Sequence, residues 1–419
     1  MRLACKNLML NLKAPPSKSA YHRELIVNFV LGARGAYLDI KKDDNDDVIA
    51  TKRCLAALSA ASDTGDDDIT LPANESGSTL RFMIPLALAL KGSPERSMVF
   101  TTKGRLVERP LDDLASCLSP FGVTIEKDIE KRTVTAKGFL MAGSYTIDGS
   151  VSSQYISGLL MALSNFNRPS TITVTGEMSS VHYIELTVAV LKKYGIEITR
   201  EGNVFNVPGR SGIDTPSGNF TVEGDWSNGA FLLCLGSLMK NGGAMITGLD
   251  PESVQGDRAV VDFLEDLGIE VDTEDGAVSV MGPDGEPPVD ELTRDCNDTP
   301  DIVPYMAVTG AFKAKKTILT GIRRLRVKES DRASAICEML AACGIKTELE
   351  EDSITVYGAV RSEIPEEISL TSSNDHRMAM AAVLCAAGTG RKVEIDDVSC
   401  LSKSYPEFKT VIENGMALP

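Results

Sequence analysis

Four segments of this chain repeat one pattern at nearly constant intervals: an apolar helical stripe that ends in glycine and runs into alternating Ile or Val. They read LDDLASCLSPFGVTIE, IELTVAVLKKYGIEITRE, AVVDFLEDLGIEVDTE and ASAICEMLAACGIKTELE, and their glycines, Gly122, Gly195, Gly268 and Gly344, are spaced by 73, 73 and 76 residues. Each copy reads as a helix apolar at i, i+3 and i+4, a glycine cap and then a strand of period two. A second helix recurs upstream of these, starting near Ser17, Ser76, Ser152, Trp226, Thr299 and Asn374. All six copies are nearly wholly apolar after the first turn, which predicts buried helices. Runs such as TITVTG and ITVYGAV suit strands. The reading is an α+β unit repeated six times, three units per domain. A chain of 419 residues suits two domains of about 200 residues each.

Composition narrows the function classes. A net charge of −16 argues against a general nucleic-acid binder, because binding a polyphosphate needs an excess of Lys and Arg. An acidic protein that binds a small anion must instead gather its cations locally. The nine cysteines form no C-x-x-C pair and no zinc-spaced cluster, so they read as reduced thiols and no metal site is expected. The first residues lack a secretory signal pattern and no run of about 18 apolar residues occurs, so a soluble cytoplasmic protein without membrane partners is expected.

The polar starts of the buried helices are the sharpest clue. A helix N-terminus offers unpaired N–H groups and partial positive charge, so hydroxyls, Asn or Gly there beside Lys or Arg make an anion site. Five starts fit: Ser17, Lys18 and Ser19 with Arg23; Ser76, Gly77 and Ser78 with Arg81; Ser152, Ser153 and Gln154; Thr299, Pro300 and Asp301; and Asn374, Asp375, His376 and Arg377. Ser, Thr, Asp and Asn are also ordinary N-caps. A cap, however, needs no arginine one turn into a buried helix, so Arg23 and Arg81 are expected to face an anionic ligand or an internal carboxylate. Asp301 reads alternatively as a first-turn carboxylate complementing the helix dipole behind a Thr299 cap and Pro300. More cations precede the other helix family: Arg105 and Arg109, Lys328 and Arg332, and Lys403. No glycine-rich nucleotide loop is present, and no cofactor is expected.

Eight blocks, PPSKSAYHR, SGSTLRF, ERPLDDL, GSVSSQY, TPDIVP, RVKESDR, SNDHRMAMA and SKSYPEF, occur between about residues 13 and 408. In kind and order they resemble the EPSP synthase family, the 3-phosphoshikimate 1-carboxyvinyltransferases. The resemblance implies a two-domain inside-out α/β barrel of six βαβαββ repeats, with domains at 15–218 and at 1–14 plus 219–419, and a monomer. It implies transfer of the enolpyruvyl group of phosphoenolpyruvate to the 5-hydroxyl of shikimate 3-phosphate. Shikimate 3-phosphate would be held by Lys18, Ser19, Arg23, Ser152, Ser153, Gln154, Ser180, Tyr183, Asp301 and Lys328. Phosphoenolpyruvate would be met by Lys18, Gly77, Arg109, Gln154, Arg332, Arg377 and Lys403. Asp301 would be the base, with Glu329, Lys18 and His376 sharing proton delivery. The chain departs from the family's usual Asn at Glu75 and at Arg324. The sister transferase acting on UDP-N-acetylglucosamine is the nearest rival, but Cys117, Cys296 and Cys400 offer no setting that activates a thiolate in a block of that family. A silent phosphate-binding paralogue is the rival from another class, and retention of Lys18, Asp301, Glu329, Arg332 and Arg377 together argues against it.

Overall fold

The computed structural model describes residues 1–3, 9–33, 36–62, 67–240, 242–274, 276–282, 289–403, 405 and 407–408. The chain forms two compact units, a continuous one over Lys18–Val222 and a split one of Met1–Ser17 with Glu223–Pro419.

The continuous unit contains α1 (Lys18–Val30), α2 (Asp46–Ala60), α3 (Gly77–Lys91), α4 (Asp112–Leu118), α5 (Ser153–Leu163) and α6 (Val181–Lys193). Two four-stranded sheets accompany them, Ile69–Asn74, Ser93–Thr102, Thr133–Gly138 and Thr124–Asp128 in one, Ser144–Asp148, Ser170–Thr175, Val204–Val207 and Thr199–Glu201 in the other. In each sheet the first two strands are parallel and the rest antiparallel. A parallel pair needs a crossover, which α3 and α5 supply, and the last two strands close as a hairpin. The segment carrying α1 and α2 holds no strand among the described residues. Its link, residues 31–45, is glycine-containing and then charged (DIKKDDN), without the alternating apolar run a strand needs.

The split unit contains α7 (Trp226–Leu238), α8 (Val260–Asp266), α9 (Val303–Lys313), α10 (Arg332–Ala342) and α11 (His376–Thr389). Two of its sheets repeat the same order: Met9–Lys13, Gly243–Thr247, Ala277–Met281 and Val271–Asp272, and Leu292–Asp295, Lys316–Thr320, Ser353–Tyr357 and Thr347–Leu349. A third pairs Glu367–Leu370 with Lys392–Ile395 in parallel and Arg2–Leu3 antiparallel to the latter.

The helices α1, α3, α5, α7, α9 and α11 are the buried family, and all 13 residues of α7 are buried. Each unit has its own apolar core, built on these helices and the inner faces of the sheets. The repeat glycines do what their spacing predicts: Gly122, Gly195, Gly268 and Gly344 have φ of +79°, +83°, +75° and +75°, the left-handed region that a side chain disfavours.

Two starts differ from the sequence reading. The fifth buried helix begins at Val303, with Pro304 rather than Pro300 in its first turn, so Thr299 to Ile302 form a turn ahead of it. Asp301 is therefore not a first-turn residue of the helix. At α11 the cap is Asp375, which accepts from the Arg377 N–H, while Asn374 before it is left-handed at φ +53°.

Candidate active site

In the continuous unit, the starts of α1, α2 and α3 are tied together by a chain of side-chain hydrogen bonds. His22 Nδ1 lies 2.7 Å from Thr51 Oγ1, Thr51 Oγ1 lies 2.8 Å from Thr79 Oγ1, and Thr79 Oγ1 donates to Ser76 Oγ at 2.8 Å. Ser76 also caps α3 by accepting from the Thr79 N–H. Burial pushes the His22 imidazole down to about 3, against the pull of Asp47, so it stays neutral in this chain. One turn before His22, the Lys18 ammonium pairs with Asp47 at 3.0 Å.

The start of α3 carries the closest packing of cations on a backbone. A β-carbon placed on Gly77 would lie 2.4 Å from Arg109 Nη1 and 2.9 Å from Arg81 Nη1, so two guanidinium groups rest against the bare glycine. Arg81 Nη1 donates to Gln154 Oε1 at 2.9 Å, and Gln154 Nε2 donates to Ser78 Oγ at 2.8 Å. The approach of α5 to α3 that allows this depends on Gly158, one turn after Gln154. A β-carbon there would come within 2.8 Å of the Arg81 carbonyl oxygen and 3.2 Å of Pro85 Cγ. Arg81, Arg109, Gly77, Ser78 and Gln154 thus form one cluster with two guanidinium groups and an amide at a helix start, a donor set suited to a carboxylate or phosphate.

Of the two partners expected for Arg23, the internal carboxylate is absent among the described residues: its nearly fully buried guanidinium donates to Thr187 Oγ1 at 2.7 Å, to the carbonyl oxygens of Ser19 at 2.6 Å and Tyr183 at 2.8 Å, and to Ser157 Oγ at 3.3 Å. Neutral oxygens and the Phe82 face, 5.1 Å from its central carbon, satisfy it without an anion. The cost is visible in its acidity, which burial pulls down to about 10. Ser152 spends its hydroxyl oxygen as the cap of α5, accepting from the Gln154 N–H at 3.3 Å, and Ser153 and Ser180 are buried, the latter at φ +50°.

In the split unit, the starts of α9, α10 and α11 hold a buried network around Arg332. Its Nη1 donates to Asp301 Oδ1 at 2.7 Å, Nη2 to Glu329 Oε2 at 2.8 Å, and Nε to Asp375 Oδ2 at 2.8 Å. Lys328 Nζ adds a contact to Asp301 Oδ1 at 3.3 Å. Burial opposes ionisation of Asp301, but Lys328, Arg332 and Arg377 together outweigh it and hold the carboxyl well below the usual range. Arg377 Nη1 donates to Tyr305 Oη at 3.1 Å, and His376 Nδ1 lies 3.9 Å from Asp375 Oδ1. The structure thus brings together Asp301, Lys328, Glu329, Arg332, His376 and Arg377. The Lys403 side chain lies outside the described part.

Sequence reasoning missed Asp47 and Tyr305 as members of these clusters, and it named Ser78 and Asp375 as parts of polar helix starts without their partners. The rule that a buried arginine needs a carboxylate, applied to Arg23, would have found Asp375 had it been applied to Arg332. Of the two departures, Arg324 donates from Nη2 to the Asn297 carbonyl oxygen, and Glu75 packs on Gly104, where a β-carbon would meet its carboxyl carbon at 3.0 Å. Among the described residues no group of three or more His, Cys, Asp or Glu is arranged to hold a metal, and no helix is long and apolar enough to cross a membrane.

Gly77→Ala tests the first cluster. The new methyl meets the ends of flexible side chains rather than backbone, so Arg109 and Arg81 give way and folding survives. The guanidinium groups shift by about 1 Å, a displacement of the size that costs up to ~100-fold at a reacting site. The expected result is an affinity for a small carboxylate- or phosphate-bearing ligand lowered about 10- to 100-fold, with thermal stability unchanged. An unaltered affinity would show that these groups do not bind it.

Known proteins bear on what this site serves. The sequence model of EPSP synthase (3-phosphoshikimate 1-carboxyvinyltransferase) matches residues 35–412. The 3-phosphoshikimate 1-carboxyvinyltransferase of Clostridium kluyveri is 32% identical over 411 residues, covering 95% of this chain and 92% of that protein. Its namesake from Clostridioides difficile is 30% identical over 424 residues, covering 95% and 93%. Among solved structures, EPSP synthase from Acinetobacter baumannii shares the fold with a TM-score of 0.74 at 20% identity, over 100% of this chain and 99% of that one. The enolpyruvyl transferase NikO from Streptomyces tendae shares it at 0.69 and 15% identity, over 99% and 97%. The chain belongs to the EPSP synthase family.

Proposed function

We propose that this protein transfers the enolpyruvyl group of phosphoenolpyruvate to the 5-hydroxyl of shikimate 3-phosphate, giving 5-enolpyruvylshikimate 3-phosphate and phosphate, a step of aromatic amino acid biosynthesis. The observation that carries the reading is family membership over nearly the whole chain, joined to the cationic clusters at the buried helix starts. The cytoplasm is assigned as its compartment and the monomer as its working form. The architecture is assigned as two three-repeat domains, 15–218 and 1–14 plus 219–419, in an inside-out α/β barrel of six βαβαββ repeats. The recurring strand order of four sheets supports this assignment.

The reaction is an addition followed by an elimination. The 5-hydroxyl adds to the enol carbon while the methylene carbon takes a proton, and phosphate then leaves the tetrahedral intermediate as a methyl proton is withdrawn. Asp301, held ionised, is assigned as the acceptor of the hydroxyl proton, with Lys328 beside it to bind the acceptor's hydroxyls. Glu329, Lys18 and His376 are assigned to proton delivery and its reversal. Arg109, Gly77, Gln154, Arg332, Arg377 and Lys403, with Lys18, are assigned to the carboxylate and phosphate of phosphoenolpyruvate, whose leaving charge they stabilise. Shikimate 3-phosphate is assigned to Lys18, Ser19, Arg23, Ser152, Ser153, Gln154, Ser180, Tyr183, Asp301 and Lys328. Because Arg23 is already committed to neutral oxygens, its contribution would require exchanging one of them for the ligand.

Mixing the purified protein with phosphoenolpyruvate and shikimate 3-phosphate should release phosphate in proportion to acceptor consumed. A folded sample that releases none above background overturns the reading. Release that proceeds equally without shikimate 3-phosphate would reject the acceptor.

A further inference from the structure

Arg377 stands apart from the other buried arginines of these helix starts in what its guanidinium touches. It is 3% exposed, and among the described residues its side chain makes one hydrogen bond, from Nη1 to the Tyr305 hydroxyl oxygen at 3.1 Å. Its Nε is buried without a partner, and no ion pair reaches the group among the described residues. Arg332, by contrast, donates to three carboxylates, and Arg23 to four neutral oxygens. A guanidinium carries five N–H donors, and a buried charge is costly until it is paired. Arg377 therefore holds its charge and most of its donors uncommitted.

Tyr305, the residue that does hold it, is fully buried in the first turn of α9, and its hydroxyl bridges two residues of α11 that lie one turn apart. It accepts from Arg377 and donates to Met380 Sδ at 3.0 Å. A thioether takes up the hydroxyl proton without adding charge, which leaves the oxygen's lone pairs to Arg377. The ring is fixed from both sides: the central carbon of Arg377 lies 5.9 Å from its centroid, and Phe231 of α7 meets it edge-on at 5.8 Å. Because the hydroxyl lies on the ring axis, fixing the ring fixes the oxygen that Nη1 must reach. A carboxylate in this place would hold the guanidinium more strongly but offset the charge that an incoming anion needs. We infer that Tyr305 is a positioning residue for the phosphoenolpyruvate anion: its neutral hydroxyl fixes the plane of the Arg377 guanidinium through Nη1 and leaves the charge and the remaining N–H donors for that anion. The inference rests on the assignment of Arg377 to phosphoenolpyruvate. Burial pushes the Tyr305 hydroxyl up to about 12, so it stays neutral at working pH.

Tyr305→Phe removes the hydroxyl alone and keeps the ring that packs on Phe231. At saturating shikimate 3-phosphate it should raise the KM for phosphoenolpyruvate about 10-fold or more, the size of one hydrogen bond to a charged group. The KM for shikimate 3-phosphate should stay within about twofold, and Tm should change little. An unaltered KM for phosphoenolpyruvate overturns the inference, and so does an equal rise in both KM values, which would make Tyr305 merely structural. Arg377→Lys supplies the second test. An ammonium has no plane to fix, so adding Tyr305→Phe to Arg377→Lys should cost less than about threefold more. The same 10-fold cost in both backgrounds would mean that Tyr305 acts on something other than Arg377 and overturns the inference. If Arg377→Lys by itself leaves the KM unchanged, the assignment of Arg377 to the donor fails and carries the inference with it. If it raises the KM and Tyr305→Phe does not, the role of Tyr305 alone is wrong.

Discussion

Asp301→Asn is expected to lower kcat by about 100- to 10,000-fold, the range that a positioned proton acceptor contributes, while phosphoenolpyruvate still binds. The side chain is nearly isosteric, and its Oδ1 can still accept from Arg332 Nη1 and Lys328 Nζ, which meet that oxygen in the natural protein at 2.7 and 3.3 Å. What it loses is the charge and the proton affinity. A competing view treats Asp301 only as a counter-charge for those cations. On that view the substitution removes a negative charge next to an anion site, so phosphoenolpyruvate should bind more tightly and turnover should hardly fall. The two views therefore give opposite patterns in kcat, and a value within about twofold of the natural protein would reject the base.

The depressed acidity of Asp301 shapes the expected pH dependence. Because Lys328, Arg332 and Arg377 hold its carboxyl well below the usual range, it is ionised throughout the physiological range and is a weak base. As the proposed acceptor of the hydroxyl proton it would not store it, so the proposal requires transfer to coincide with attack on the enol carbon and the proton then to leave. Loss of activity on acidification to about pH 5 should accordingly come from groups other than Asp301.

The repeat was the part of the fold most open to sequence reading, and for a physical reason. A glycine at each helix end has one task, to enter the left-handed region, and no other residue does it as cheaply, so Gly122, Gly195, Gly268 and Gly344 mark four turns by chemistry alone. The buried helices were equally plain, because a helix like α7 is apolar on every side. The start of α9 was harder to place. Thr299, Pro300 and Asp301 carry the residue preferences of a helix start, whereas Ile302, the actual cap, does not; the turn ahead of the helix is closed by the Ile302 N–H on the Thr299 carbonyl, and Asp301 within it is held by Arg332, 31 residues away.

In the site, residue type told which cations are present but not what each one touches. Arg23 and Arg332 look alike in sequence, each set within a polar helix start. In the structure Arg23 meets a serine, a threonine and two carbonyls, whereas Arg332 meets three carboxylates. Those partners lie 134 to 164 residues away for Arg23, from Ser157, Tyr183 and Thr187, and 43 residues away for Asp375. Periodicity along one helix holds no information on contacts at such separations.

Arg332→Met should be the most destructive single change in the split unit, and a second substitution separates the reasons. Methionine fills similar volume but leaves Asp375, wholly buried, without a guanidinium and with the Ser330 hydroxyl at 3.1 Å and the Arg377 N–H at 2.9 Å as its described hydrogen bonds. Removing one member of a buried ion pair costs about 3–5 kcal/mol, against a net stability of about 5–15 kcal/mol for a typical domain. For a unit of this size that corresponds to a fall in Tm of roughly 6–20 °C. Adding Asp375→Asn removes the stranded charge, so the double variant should recover much of the Tm while activity stays low, because the guanidinium assigned to phosphoenolpyruvate is still missing. Recovery of both Tm and activity would make Arg332 purely structural. A single variant as stable as the natural protein would mean that water or rearrangement already compensates Asp375, and the buried network would not be what holds these helix starts together.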